Sequence, residues 1–127
     1  MKLSIVTSLY MSERYLDEFC RQCIFIAENL VEDQYEIILV NDGSPDKSLA
    51  KALELRQRNK RIQIIDLSRN FGHHKALMTG LLHATGERVF MIDCDLEEPP
   101  EVLAEWWQIL EKNDDLDVVF GVQSRRK

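Results

Sequence analysis

The chain has 127 residues and a formal net charge of −6, with 45% hydrophobic and 30% charged residues. This length favours a single globular domain that is large enough to bury a core. The acidic balance argues against a nucleic-acid partner, since binding to a phosphate backbone needs a basic surface. No apolar run approaches the roughly 20 residues of a membrane span, and no secretory signal precedes the first apolar run, so we expect a cytoplasmic location.

Short apolar runs alternate with amphipathic segments along the whole chain. In chain order they predict a strand at Leu3–Ser8, a helix at Glu13–Asn29, a strand at Tyr35–Asn41, a helix from Pro45 to Asn59, a strand at Ile62–Asp66, a helix at His73–Ala84, a strand at Arg88–Asp93, a helix at Pro100–Lys112 and a strand at Asp117–Val122. Ser12 and Ser44 are the predicted N-caps of the first two helices. Gly86 is expected to form a left-handed C-terminal cap of the third helix.

This alternation of strands and helices predicts a doubly wound α/β fold of the Rossmann-like type. Its crossovers should be right-handed, and its mostly parallel sheet should carry helices on both faces. We expect residues 1–127 to belong to one domain. In such folds, ligands bind in the crevice beyond the carboxyl ends of the strands.

An unusual group of acidic residues follows the fourth predicted strand, in the stretch VFMIDCDLEEPPE at residues 89–101. Asp93 and Asp95 flank Cys94 at the end of the strand, where helix capping does not explain them, because no helix is predicted before the prolines. Mg²⁺ and Mn²⁺ prefer oxygen ligands and bind through one or two carboxylates together with substrate phosphates. The pattern therefore predicts a divalent-metal site.

Three further residues at predicted strand ends suit a nucleotide ligand. Asp42 could accept a hydrogen bond from a nucleobase, and Arg69 is suited to phosphate, although a surface ion pair would also explain it. Gly72 stands before His73 at a helix start, where free N–H groups favour an anion. We interpret His73 as a neighbour of phosphate.

Cys20 and Cys23 form a C-x-x-C pair in the middle of the first predicted helix. A redox pair would be expected at a helix N-terminus, and a zinc site would need two more ligands. We therefore expect these cysteines to be core residues.

Four stretches, in this order and spacing, resemble the N-terminal half of a family 2 glycosyltransferase. They are SIVTSLYMSERYL, ILVNDGSPDKS, LSRNFGHHKALMTGL and VFMIDCDLEEPPE. The resemblance covers nearly the whole chain and is greatest to the branch of dolichol-phosphate mannose synthase and bacterial polyprenyl-phosphate glycosyltransferases. It implies a GT-A fold, a UDP- or GDP-linked sugar as donor, and Mg²⁺ or Mn²⁺ as cofactor.

The resemblance also implies roles for individual residues. The nucleotide pocket would be lined by Ser8, Tyr10, Glu13, Asp42, Arg69, Gly72 and Cys94, and the metal would be bound by Asp93, Asp95 and Glu97. The chain departs from the family pattern at three positions. Glu97 replaces a glutamine that is frequent in this branch, and Ser8 and Met11 replace a proline and an asparagine in the first loop.

The reaction implied is metal-dependent transfer of a sugar, with inversion, to a polyprenyl phosphate or glycan acceptor, as in the synthesis of cell-envelope polysaccharides. The family's general base and acceptor-binding half would lie beyond Lys127. We therefore expect this chain to be a nucleotide-binding part that transfers no sugar alone and lacks the segments that would associate with the cytoplasmic face of a membrane.

Two alternatives stay open: a nucleotide-binding or catalytically degenerate module of the same fold, and a sugar nucleotidyltransferase. The second would be expected to carry a glycine-rich basic loop after the first strand, where the chain has TSLYMSE. The glycine motifs of dinucleotide-binding and P-loop proteins are absent from the sequence.

Overall fold

Four parallel strands form the central sheet of the computed structural model, which describes residues 1–112. The strands are β1 (Leu3–Leu9), β2 (Tyr35–Asn41), β3 (Ile62–Asp66) and β4 (Arg88–Met91). Their order across the sheet is β3-β2-β1-β4, and every neighbouring pair is parallel. The strand predicted at Asp117–Val122 lies outside the described residues.

The central strands β1 and β2 are buried along their whole length, as their nearly continuous apolar sequences predict for strands covered on both faces. The bounds of β2 and β3 are those predicted. β4 is shorter than predicted, because its pairing with β1 ends at Val6 and Met91. Beyond that pair, only the N–H of Ile92 still donates to the carbonyl of Val6, at 3.1 Å.

Four helices, counted within residues 1–112, flank the sheet: α1 (Leu16–Val31), α2 (Ser48–Arg58), α3 (His73–His83) and α4 (Val102–Lys112). Side chains alternate along each strand, so Leu3 and Ile5 pack in the larger core with α1, α2 and α4, whereas Val6 packs in a smaller core with α3. The predicted coverage of both faces is therefore confirmed. None of these helices combines the length and apolar character that crossing a membrane requires.

α3 lies very close to the sheet because Gly80 has no side chain. A Cβ at this position would come within 3.0 Å of Val40 Cγ2 and nearer still to Val6 Cγ1. The helix backbone thus rests directly on the two central strands.

α1 begins at Leu16 rather than at Glu13, and the predicted capping role of Ser12 is wrong. The hydroxyl of Ser12 accepts a hydrogen bond from the N–H of Tyr10 at 3.1 Å, and its own N–H donates to Ser48 Oγ at 3.0 Å. Ser12 therefore joins two loops instead of capping the helix that follows it.

α2 begins at Ser48 rather than at Pro45, and the cap predicted at Ser44 is also wrong. The Ser44 hydroxyl accepts from the N–H of Met11 at 2.8 Å and donates to the carboxylate of Asp46. Asp46 in turn accepts from the N–H of Ser48 at 3.0 Å, so the residues before α2 form a hydrogen-bonded loop.

Gly86 does not have the predicted left-handed conformation; the glycines that do, among the described residues, are Gly43 and Gly72. A small residue is needed because a Cβ at position 86 would lie 2.6 Å from the nitrogen of Ser4. The Ser4 hydroxyl accepts from the N–H of Gly86 at 2.8 Å and donates to the buried carboxylate of Glu36 at 2.6 Å. This network anchors the connection between α3 and β4.

The predicted burial of the cysteines is confirmed. Cys20 and Cys23 are free thiols inside the larger core, as is Cys94. Burial raises the pKa of the Cys20 thiol to about 12 and that of Cys23 well above its ordinary value. Both thiols therefore stay protonated and behave as core side chains.

The strand order reverses at β1, which has β2 on one side and β4 on the other. In doubly wound sheets, ligands bind beyond the carboxyl ends of the strands at such a reversal. The loops after β1 and β4 are therefore the place to look for a binding site.

Candidate functional site

The loops that follow β2 and β3 are joined through Asp42, whose residue surface is only 2% exposed. Its Oδ1 accepts a hydrogen bond from the N–H of Phe71 at 2.8 Å, and Asn70 Nδ2 donates to its backbone carbonyl at 3.0 Å. Its Oδ2 has a longer contact, 3.4 Å, to the same Asn70 amide. Asp42 thus holds the loop that carries Arg69 against the loop after β2.

Gly43 makes this contact between the loops possible. Its φ of +67° is in the left-handed region, and a Cβ there would lie 2.6 Å from the carbonyl carbon of Arg69 and nearer still to the nitrogen of Asn70. Only glycine satisfies both the backbone conformation and the close approach.

The loops after β1 and β2 are joined in the same way. The N–H of Glu13 donates to Asp46 Oδ2 at 3.2 Å, and Glu13 Oε1 accepts from the N–H of Lys47 at 3.2 Å. Desolvation raises the pKa of the Asp46 carboxyl, but hydrogen bonds led by those of Ser44 and Ser48 outweigh it and leave the pKa at about 2. Glu13 is therefore a loop-joining residue, whichever ligand the pocket binds.

Arg69 and Tyr10 present exposed side chains at the rim of these loops. The guanidinium carbon of Arg69 lies 4.6 Å from the centre of the Phe71 ring, and no carboxylate among residues 1–112 forms an ion pair with it. Tyr10 is 50% exposed at the end of β1. Gly72, with φ +105°, leads from this loop into α3 with open space around its Cα. Arg69 is therefore a cation without a carboxylate partner among residues 1–112, which suits contact with an anionic ligand.

The loop after β4 directs its acids away from the core. Ile92 and Cys94 are buried, whereas Asp93 is exposed and Asp95 partly exposed. Burial raises the pKa of the Cys94 thiol far above its ordinary value. The side chain of Cys94 thus belongs to the core, and only its backbone could line the predicted nucleotide pocket.

The structure shows one contact in this region that the sequence did not predict. The ring of His73, the first residue of α3, lies between Ser8 and Asp93: its Nδ1 is 2.8 Å from Ser8 Oγ, and its Nε2 is 3.0 Å from Asp93 Oδ1. The only sequence signal for this contact was the position of His73 directly after Gly72, opposite two strand ends. The expectation that His73 lies near phosphate stays a prediction; in the structure its ring bridges the ends of β1 and β4.

The acids after β4 supply the oxygen donors that Mg²⁺ and Mn²⁺ prefer. Asp95 Oδ1 accepts from the N–H of Glu97 at 3.0 Å, which leaves Oδ2 for other ligands, and Asp93 uses one oxygen for His73. Within the described residues, no group of three acidic, histidine or cysteine side chains is arranged to bind one metal ion. The chemistry fits two carboxylates plus ligands from a substrate, and the set of Asp93, Asp95 and Glu97 stays a prediction.

The family model for glycosyl transferase family 2 matches residues 4–127 of the chain. The chain belongs to this family. A Mycobacterium tuberculosis protein whose name provisionally assigns it to the glycosyltransferases is 52% identical over 126 residues, which are 99% of this chain and 36% of that protein. The uncharacterized glycosyltransferase YkcC of Bacillus subtilis is 36% identical over 100% of this chain and 38% of its own length. The chain thus spans little more than a third of these curated relatives.

Solved structures share the fold of this family 2 chain. S. aureus TarS (residues 1–349), in complex with UDP-GlcNAc, has a TM-score of 0.70 and 26% identity over 88% of this chain and 32% of that one. The mannosyltransferase PcManGT of Pyrobaculum calidifontis, in complex with GDP-Man and Mn²⁺, has a TM-score of 0.74 and 21% identity over 86% of this chain and 32% of its own. The predicted GT-A fold is confirmed, and the predicted polyprenyl-phosphate branch stays a prediction.

Proposed function

We propose that this chain is the nucleotide-sugar-binding part of an inverting, metal-dependent glycosyltransferase. The observation that carries the proposal is that Asp93 and Asp95 lie at the reversal of strand order, at the same carboxyl-terminal end of the parallel strands as Arg69. Two carboxylates, together with a guanidinium that has no ion-pair partner among residues 1–112, suit a metal-bound diphosphate. The UDP-GlcNAc complex of TarS supports a nucleotide sugar as ligand.

The nucleotide would lie across the loops that follow the first three strands. Asp42 Oδ2, whose protein contact is the longer one, is the oxygen that a base N–H could reach. Tyr10 at the rim would contact the base or ribose, and Ser8 and Glu13 would hold the loop beneath them. The donor is therefore a UDP- or GDP-linked sugar, and the sugar itself depends on residues outside these loops.

Arg69 and the acids after β4 would act on the leaving diphosphate. The Arg69 guanidinium would stabilise negative charge that develops as the bond between sugar and phosphate breaks. Asp93 and Asp95, with Glu97 as a further carboxylate, would hold a divalent cation, which supplies Lewis-acid stabilisation of that diphosphate when bound. The acceptor would attack from the opposite face and invert the anomeric carbon.

We propose a polyprenyl phosphate as the acceptor, because the four motifs are most similar to that branch. A phosphate acceptor is already a nucleophile, whereas a glycan hydroxyl would need a general base. We propose that this chain binds the donor but transfers no sugar alone, because it spans only 36% and 38% of two curated relatives.

Binding of UDP-GlcNAc and GDP-mannose to the purified protein, with and without Mn²⁺, tests the proposal. We expect Mn²⁺ to increase the affinity for one donor at least 10-fold, roughly the effect of one charge-assisted contact. Asp95→Ala should remove this increase, and Glu105→Ala, which removes an exposed acid of α4, should preserve it. Affinity that is independent of Mn²⁺ would contradict the metal site and favour a nucleotide-binding module without transfer.

A further inference from the structure

The ring of His73 connects two strand ends that the sheet itself no longer holds together. The ladder between β1 and β4 ends at Val6 and Met91, and only the Ile92 N–H continues it. Beyond that point, the contacts of His73 with Ser8, at 2.8 Å, and with Asp93, at 3.0 Å, join the two ends. The side chains of Ser8, His73 and Asp93 thus form one continuous hydrogen-bonded group.

When the ring of His73 is neutral, the donors and acceptors of Ser8, His73 and Asp93 have one consistent arrangement. An ionised Asp93 carboxylate only accepts, so Nε2 of His73 carries the hydrogen between them. In the neutral ring, Nδ1 then has no hydrogen and accepts from the hydroxyl of Ser8. Ser8, 9% exposed, is fixed by its strand and so fixes the plane of the ring.

This arrangement restrains a carboxylate that would otherwise rotate freely. The Asp93 side chain is 56% exposed, and within residues 1–112 its Oδ1 has a partner while its Oδ2 has none. A bond to Oδ1 selects one side-chain rotamer and leaves Oδ2 for a cation. Protein groups that hydrogen-bond to a metal ligand typically change metal affinity about 10–100-fold when they are removed.

We propose that His73 is a positioning residue for Asp93, which Ser8 holds in the ε tautomer, and that it prepares this carboxylate to bind Mg²⁺ or Mn²⁺. The proposal rests on the proposed function, because it assigns Asp93 to the metal. It goes beyond the proposed function in assigning His73 a role that involves no contact with phosphate or metal.

Direct measurement of Mn²⁺ binding by electron paramagnetic resonance, without nucleotide, tests the proposal. We expect His73→Ala to raise the Kd for Mn²⁺ about 10–100-fold. His73→Gln should recover part of the affinity, since its amide can donate to Asp93 and accept from Ser8. Ser8→Ala should weaken binding less than His73→Ala, and His83→Ala, at the other end of α3, should leave it unchanged.

A His73→Ala protein that is folded and binds Mn²⁺ within twofold of the wild type would overturn the proposal, as would a His73→Gln variant no better than His73→Ala. ¹⁵N NMR of the metal-free protein is the second measurement, and it should find the His73 hydrogen on Nε2. A neutral ring with its hydrogen on Nδ1 would overturn the proposed hydrogen-bond arrangement of Ser8, His73 and Asp93. If the wild type binds Mn²⁺ neither alone nor together with UDP-GlcNAc or GDP-mannose, the proposed function fails together with this inference; if Asp95→Ala abolishes binding and His73→Ala does not, only the inference fails.

Discussion

The loops after β1, β2 and β3 differ from the loop after β4 in how they use their carboxylates. Asp42 and Asp46 accept backbone hydrogen bonds from neighbouring loops, from Phe71 to Asp42 and from Glu13 to Asp46. Asp93 and Asp95, in the second region, are exposed or partly exposed, and each has one oxygen without a protein partner in the described residues.

The difference indicates that the two regions acquire their binding geometry in different ways. The loops after the first three strands are held by the protein itself, so a nucleotide would bind a surface that is already formed. Under the proposed function, a bound cation would reduce the repulsion between the acids after β4. We therefore expect substitutions in the first region to change stability and those in the second to change ligand binding.

The largest effect is expected for Gly43→Ala. Its methyl group would contact the backbone of Arg69 and Asn70, and its φ of +67° is costly for alanine, so we expect a loss of about 2–4 kcal/mol in the free energy of unfolding. Urea denaturation measures it. Gly72→Ala is the matched variant, because it strains the backbone but adds its methyl group in open space. Equal losses in the two variants would mean that the loops are not tightly packed.

A second test removes one carboxylate from each region. Asp42→Ala removes a nearly fully buried carboxylate, which accepts from the N–H of Phe71, and should lower the free energy of unfolding by about 1–3 kcal/mol. Asp95→Ala removes a partly exposed acid and should change the free energy of unfolding by less than about 0.5 kcal/mol. Urea denaturation measures the change in the free energy of unfolding for both variants. A large loss for Asp95→Ala, or none for Asp42→Ala, would reverse the comparison.

The smallest effect is expected for the pH dependence of stability, through Asp46, which joins the loops after β1 and β2. The pKa of Asp46 is about 2 in the folded protein against an ordinary 3.8, so its contribution to stability is fully present above about pH 4 and is lost as the pH falls towards 2. The difference in unfolding free energy between wild type and Asp46→Ala should shrink over that interval. Glu105→Ala serves as the control for the loss of an exposed acid. A difference that stays constant from pH 5 to about 2 would show that the hydrogen bonds to Asp46 do not stabilise the fold.

The sequence predicted the strands better than the helix starts, for a physical reason. Apolar runs are local signals of burial, and the structure confirms the predicted bounds of two of them, Tyr35–Asn41 and Ile62–Asp66. Ser12 and Ser44 satisfy the local rules for N-caps, but each also has a hydrogen-bond partner more than thirty positions away: the Ser12 N–H donates to Ser48 Oγ, and the Ser44 hydroxyl accepts from the N–H of Met11. Local patterns contain no information about such partners.

The candidate site shows the same limit. The motifs identified the strand ends that carry Asp42, Arg69 and Asp93, because each follows a recognisable apolar run. They could not predict that His73 and Asp93 would be in contact, because that contact depends on β4 lying beside β1 rather than beside β3. The order of strands follows from packing across the whole sheet.

Gly80 sets the geometry of the site from a distance. It lies seven residues after His73, about 10 Å along α3, with its backbone against Val6 and Val40. A larger residue at this position would displace the side chains of Val6 and Val40 or the helix itself, and a shift of the helix would move the imidazole that it carries. The distance between α3 and the sheet therefore determines where His73 lies. A substitution at position 80 would act on the loop after β4 through this distance, without a direct contact with Asp93 or Asp95.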